Sequence, residues 1–175
     1  MTSFPNLLLM DGKQICAAYA EEMKAESVAT RKCLERIPES VYKFKPHEKS
    51  MEMGYLTLLV AEIPKWIRDM IEGGVINFQS YSHFQLSTTE QLLAHYDENI
   101  EGAIKSLSNI TDEKLAKPFE LKNGDQLLWT SPMAEALGNT INHWVHHRGQ
   151  LTVYMRLSDI AVPSIYGPSA DDKGF

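Results

Sequence analysis

The stretch that most constrains this chain is residues 131–158, which runs without proline after Pro132 and holds three of the chain's six histidines. Ser131 suits an N-cap. Pro132 suits the first helical position, where its missing N–H leaves nothing unpaired. With the next proline at Pro163, about seven helical turns can form. A helix this long in a chain this short needs partners along its whole length, so the other elements must be helices able to pack against it.

Residues three and four apart share a helix face. Ala136, Thr140, His143, His147, Leu151 and Tyr154 therefore form one stripe, flanked by Met133, Leu137, Ile141 and Trp144. His146 falls with Asn139, Asn142 and Val153 on a more polar side. His143 and His147 are one turn apart and point toward the core. Two imidazoles at i and i+4 can serve one metal ion. The same spacing also suits two partly buried histidines that hydrogen-bond locally.

Three further helices follow from periodicity. The first spans roughly 12–36, opened by a capping box at Asp11 and Gln14 and stopped by Pro38. The second spans about 51–72, with Ser50 as N-cap candidate and Gly73-Gly74 as its end. Pro64 sits inside it and removes one backbone hydrogen bond, which predicts a kink near Val60 to Ile63. The third begins at Ser87-Thr88-Thr89-Glu90, read as a capping box, and runs to about Ser108. His95, between polar neighbours, reads as a surface residue. A helical turn near 111–116 and a small hairpin through Asn123-Gly124 precede the last helix, and residues 162–172 form an irregular tail. The fold class is all-α: a four-helix bundle in one domain spanning 1–175, with a small hairpin or irregular insertion before the last helix.

Composition excludes several roles. A net charge of −6 argues against broad nucleic-acid binding, which needs a basic surface to replace phosphate counterions. No window approaches ~20 apolar residues, so no membrane span is expected. The first ten residues lack the basic start of a signal peptide. Cys16 and Cys33, 17 residues apart on one helix, would stand roughly 25 Å apart and cannot bridge. A cytoplasmic protein with reduced thiols is the expectation.

The block Asn142-His143-Trp144-Val145-His146-His147-Arg148-Gly149-Gln150-Leu151 resembles the signature helix of the DinB-like (DinB/YfiT) superfamily. The likeness extends to Pro46-His47-Glu48-Lys49-Ser50-Met51, to Val60-Ala61-Glu62-Ile63-Pro64-Lys65-Trp66, and to Tyr166-Gly167-Pro168-Ser169-Ala170-Asp171. The resemblance implies a stress-associated bundle of four helices, dimeric in many members, with a divalent ion such as zinc or nickel held by three histidines in a cleft. Two of them match His143 and His147. At the third position, on the second helix, this chain has Leu59. Leucine has no lone pair to offer a metal.

Three functions follow as expectations. In the first, a degenerate cleft lined by Tyr55, Leu59, His143, His147 and Trp144 binds a small molecule or, weakly, a divalent ion. In the second, the protein is a metal-dependent thiol transferase or hydrolase, with Glu62 as substitute ligand or base; Glu62 could equally orient a neighbour. The third, DNA binding, is suggested by the family name alone and opposed by the charge. A homodimer is expected, with a small-molecule or thiol substrate. Other residues of the signature block have structural readings: Arg148 pairs with a carboxylate or caps a loop, Gly149 permits a close approach, and Gln150 hydrogen-bonds backbone or sits behind a histidine.

Overall fold

The computed structural model describes residues 11–174. Residues 1–10, on which the reading of the N-terminus rests, and Phe175 lie outside the described residues. Four long helices carry the fold: α1 (Gly12–Glu35), α2 (Met53–Gly73), α3 (Thr89–Ser108) and, after the one-turn α4 (Asp112–Leu115), α5 (Met133–Leu157). Three short strands complete it: β1 (Val75–Asn77), β2 (Pro118–Asn123) and β3 (Gln126–Pro132). The chain is mostly helical, as expected; the sheet is more than a hairpin. β2 and β3 pair antiparallel through a turn at Gly124 (φ 60°), and β1 adds in parallel on the far side of β2. Three residues with no alternation give too little pattern to reveal a strand. Asn77 anchors this sheet, its side chain accepting from Gly124 N–H at 2.9 Å and donating to Gly124 C=O at 3.1 Å. No helix among the described residues is long and apolar enough to cross a membrane.

The helix starts obey the capping rules, with three shifts. At α1, Asp11 accepts from Gln14 N–H at 2.8 Å while Gln14 Oε1 accepts from Asp11 N–H at 3.0 Å, the reciprocal box. At α3 the cap is Thr88, one residue later than expected, accepting from Gln91 N–H. Ser50 does not cap α2, whose N-cap is Glu52 without a side-chain bond. Ser131 does not cap α5, because Ser131 and Pro132 finish β3 and the helix starts at Met133. Sheet pairing won over the local cap.

Helix α2 is the centre. Every residue from Leu56 to Pro64 is buried, because α3, α5 and β1 all pack on it. It runs unbroken through Pro64. The missing N–H of Pro64 would leave the Val60 carbonyl without its helical donor. Trp144 Nε1 donates to that carbonyl at 3.0 Å. One turn of ladder is thus replaced by an indole from α5, and buried Asn99 from α3 donates to the next carbonyl, Ala61, at 3.0 Å. The proline defect is where three helices are stitched together.

Arg148, 2% exposed, anchors the other flank. It ion-pairs with Glu26 of α1, donates to Thr30 Oγ1 at 3.2 Å, and donates to Tyr166 OH at 2.7 Å, so one guanidinium holds α1 and the tail onto α5. Gly149 serves no close approach: nothing lies within 4 Å of where its Cβ would be. Gly138, earlier on α5, does permit one, since the Tyr19 hydroxyl occupies the space a Cβ would need.

Candidate functional site

Helix α5 presents its histidine pair toward α2. His147 is 9% exposed. The two Nε2 atoms of His143 and His147 stand 2.7 Å apart, and His147 Nδ1 stands 2.7 Å from Gln150 Oε1. An amide oxygen only accepts, so His147 Nδ1 carries a proton and its Nε2 keeps the lone pair. His143 Nε2–H must then be the donor between the rings, and His143 Nδ1 is left as an acceptor. Both rings favour the neutral form. Burial, reinforced by the His147 and His146 rings, lowers the His143 pKa to about 4. Burial also lowers that of His147, against the opposing pull of Gln150. His146 is exposed, as its polar side predicts.

The antiparallel register of α2 and α5 is fixed by three contacts: Tyr154 OH to Met51 O, Trp144 Nε1 to Val60 O, and Thr140 Oγ1 to Met70 Sδ. That register brings residue 59 level with His147. Leu59 is 8% exposed. Tyr55 is half exposed, and Trp144 is fully buried in the core around Val60 and Tyr96. Neither Tyr55, Leu59 nor Trp144 lines the cavity found beside His143.

That cavity measures about 350 Å³. It is lined by Trp66 and Met70 of α2, by Thr140 and His143 of α5, and by Phe119 and Trp129 of the sheet. The Trp66 and His143 rings are 5.7 Å apart. Without the sheet there would be no enclosed space here, so this pocket could not be found from helical periodicity.

The sequence profile of the DinB family matches residues 10–173. The chain belongs to the DinB family. Solved structures of DinB-like proteins share its fold. A DinB-like protein of Bacillus subtilis is 20% identical, with a TM-score of 0.66, and the match covers 89% of this chain and 99% of that one. A DinB-like protein of Bacillus cereus ATCC 10987 is also 20% identical, with a TM-score of 0.64 over 85% of this chain and 95% of that one. At this identity the likeness concerns fold alone. Uncharacterized protein YrdA of Bacillus subtilis (strain 168) is 46% identical over 41 residues, which is 23% of this chain and 25% of that protein.

The three-histidine metal site that the DinB resemblance implies meets a donor set here that is incomplete. Two nitrogens bound to one tetrahedral zinc at ~2.0–2.1 Å stand about 3.3 Å apart. The 2.7 Å pair is within a small side-chain rotation of that. The third donor is what fails. No group of three or more His, Cys, Asp or Glu side chains among the described residues is placed to hold a metal ion.

Glu62, the substitute considered from sequence, has its oxygens engaged elsewhere. It is 1% exposed, accepting from Phe84 N–H at 2.6 Å and from His83 Nδ1 at 2.7 Å, with His95 Nε2 at 3.7 Å. Those partners lie on the loop after β1 and on α3. Glu62 orients a neighbour: while ionised it fixes the proton on His83 Nδ1 and leaves the His83 Nε2 lone pair on a side chain that is 46% exposed. His95 is not the surface residue its polar neighbours predict. Its ring stacks on Phe84 at 4.3 Å, its side chain is 16% exposed, and its buried Nε2 lacks a partner. Sequence reasoning missed His83 and misplaced His95 because the loop that covers them has no period to read.

Proposed function

We propose that this DinB-family protein binds a small molecule in the cavity edged by His143, which together with His147 behind it keeps two imidazoles of the family's three without a fixed three-ligand metal centre. The observation that supports this reading is the cavity beside His143, whose size falls at the lower end of the ligand-pocket range of ~300–1,000 Å³. Its aromatic walls and single polar edge are the usual division of labour in such pockets. Elemental analysis of the purified protein tests the metal half of the proposal. Far less than one zinc or nickel per chain is expected, and one tightly held ion per chain would overturn it.

A second reading has one observation in its favour. Gln150 grips His147 Nδ1 and turns its Nε2 toward His143, as outer partners do for ligating imidazoles. In that reading the protein is a metal-dependent thiol transferase or hydrolase, and a substrate thiolate or another incoming donor completes the set. For Glu62 to take that place it would have to release both Phe84 and His83. A homodimer in the cytoplasm belongs to the same proposal. Edge strand β3, with Leu127, Leu128 and Trp129 exposed, is where a second copy would pair, and light scattering at micromolar concentration tests it.

A further inference from the structure

The polar edge of the cavity has a sign. We infer that the cleft selects a compact one- or two-ring apolar molecule carrying a single neutral hydrogen-bond donor, such as a phenol. This rests on the ligand-binding reading above and narrows it.

The argument is one of proton inventory. The chain from Gln150 Oε1 through His147 to His143 uses the Nε2–H of His143 and leaves Nδ1 as an acceptor with no bond to any described residue. Thr140, also on the cavity wall, directs its hydroxyl proton at the Ala136 carbonyl at 2.9 Å, with Met70 Sδ at 3.5 Å, which leaves its oxygen free to accept from a ligand. The third polar residue of the lining, Asn139, is exposed at the rim. No Lys or Arg lines the cavity, so a carboxylate would be buried unpaired, which is costly. The remaining walls offer flat apolar surface, with the Trp66, Phe119 and Trp129 rings able to stack or meet a ligand edge-on. About 350 Å³ accommodates one or two rings.

Isothermal titration calorimetry at pH 7 with 2-naphthol, 2-methoxynaphthalene and 2-naphthoate decides it. The naphthol is expected to bind one per chain, with the methyl ether about fivefold weaker for want of the donor and the naphthoate weaker still. His143→Phe should remove the difference between the naphthol and the ether. Thr140→Trp, which fills the cavity, should abolish binding of both. Equal wild-type affinities for naphthol and ether would overturn the donor rule while leaving a ligand pocket. Binding of neither, or binding that survives Thr140→Trp, would overturn the pocket reading as well. Circular dichroism checks that each variant folds, and the wild-type comparison decides the donor rule without either variant.

Discussion

Glu62→Gln is the most informative single change. The wild-type carboxylate is 1% exposed and has no Lys or Arg against it, so its burial is offset by the Phe84 N–H and the His83 Nδ1 proton. Hydrogen bonds to a charged group contribute about 1.5–3 kcal/mol each, neutral ones about 0.5–1.5. Glutamine keeps the size and one acceptor. The Phe84 bond survives in neutral form, a loss of about 1 kcal/mol. The new amide N–H₂ faces His83 Nδ1, donor against donor, until His83 moves its proton to Nε2. That bond is reduced or lost, at a further 1–3 kcal/mol or so. Removing a buried charge returns part of this. A net destabilisation of about 1–2 kcal/mol is expected, read as a lower urea midpoint at unchanged slope. The local signature is sharper: the Phe84 amide should exchange with solvent well before the α2 amides do, because the loop after β1 loses its pin. Wild-type stability together with wild-type Phe84 exchange in Glu62→Gln would refute the reasoning.

Leu59→His, level with His147, should supply a third imidazole and raise zinc affinity by orders of magnitude in competition with a chelating dye; no gain would mean residue 59 does not face the pair. Arg148→Met leaves Glu26 without its guanidinium partner in a nearly dry site; a cost of about 3–5 kcal/mol in urea unfolding is expected, as for other broken buried pairs. In EDTA-treated protein the neutral His143 contributes stability that is complete above pH ~6.5 and lost as pH falls toward about 4. At pH 5 the loss is at most about 2 kcal/mol, and roughly 1 once screening of the partly exposed ring is allowed for; His143→Phe should flatten that part of the pH–stability curve. Cys16 and Cys33 are both fully buried, and burial raises the Cys33 thiol to about 11; Ellman's reagent should find no fast thiol in the native protein and two after guanidinium.

The helices were legible because each needs an apolar stripe, and a stripe of twenty residues outweighs local noise. The caps at Asp11 and near Thr88, the αL stop at Gly74 and the hairpin at Gly124 were legible for the same local reason. What was not legible is non-local. Ser131 and Pro132 look like a helix start and end a strand instead, because β2 pairs with them. Residue 75 pairs with residue 120 across all of α3, a relation no short window contains. His95 reads as polar surface until the loop carrying Phe84 folds over it.

The same division runs through the site. The facing of His143 and His147 follows from i, i+4 spacing, and the role of Gln150 from i, i+3 spacing, so helical geometry alone brings all three together. Whether that trio serves a metal or a ligand is decided by what stands opposite. On the α2 side residue 59 offers methyl groups, and on the sheet side Phe119 and Trp129 offer rings. Neither offers a lone pair, and desolvation by burial is the largest cause of the lowered pKa of both histidines. A neutral imidazole held dry next to an aromatic wall still accepts a hydrogen bond. With two donors and no third among the described residues, it is poorly equipped to hold a cation. On the proposed reading, the leucine and the sheet favour recognition of an uncharged molecule over coordination beside these helices.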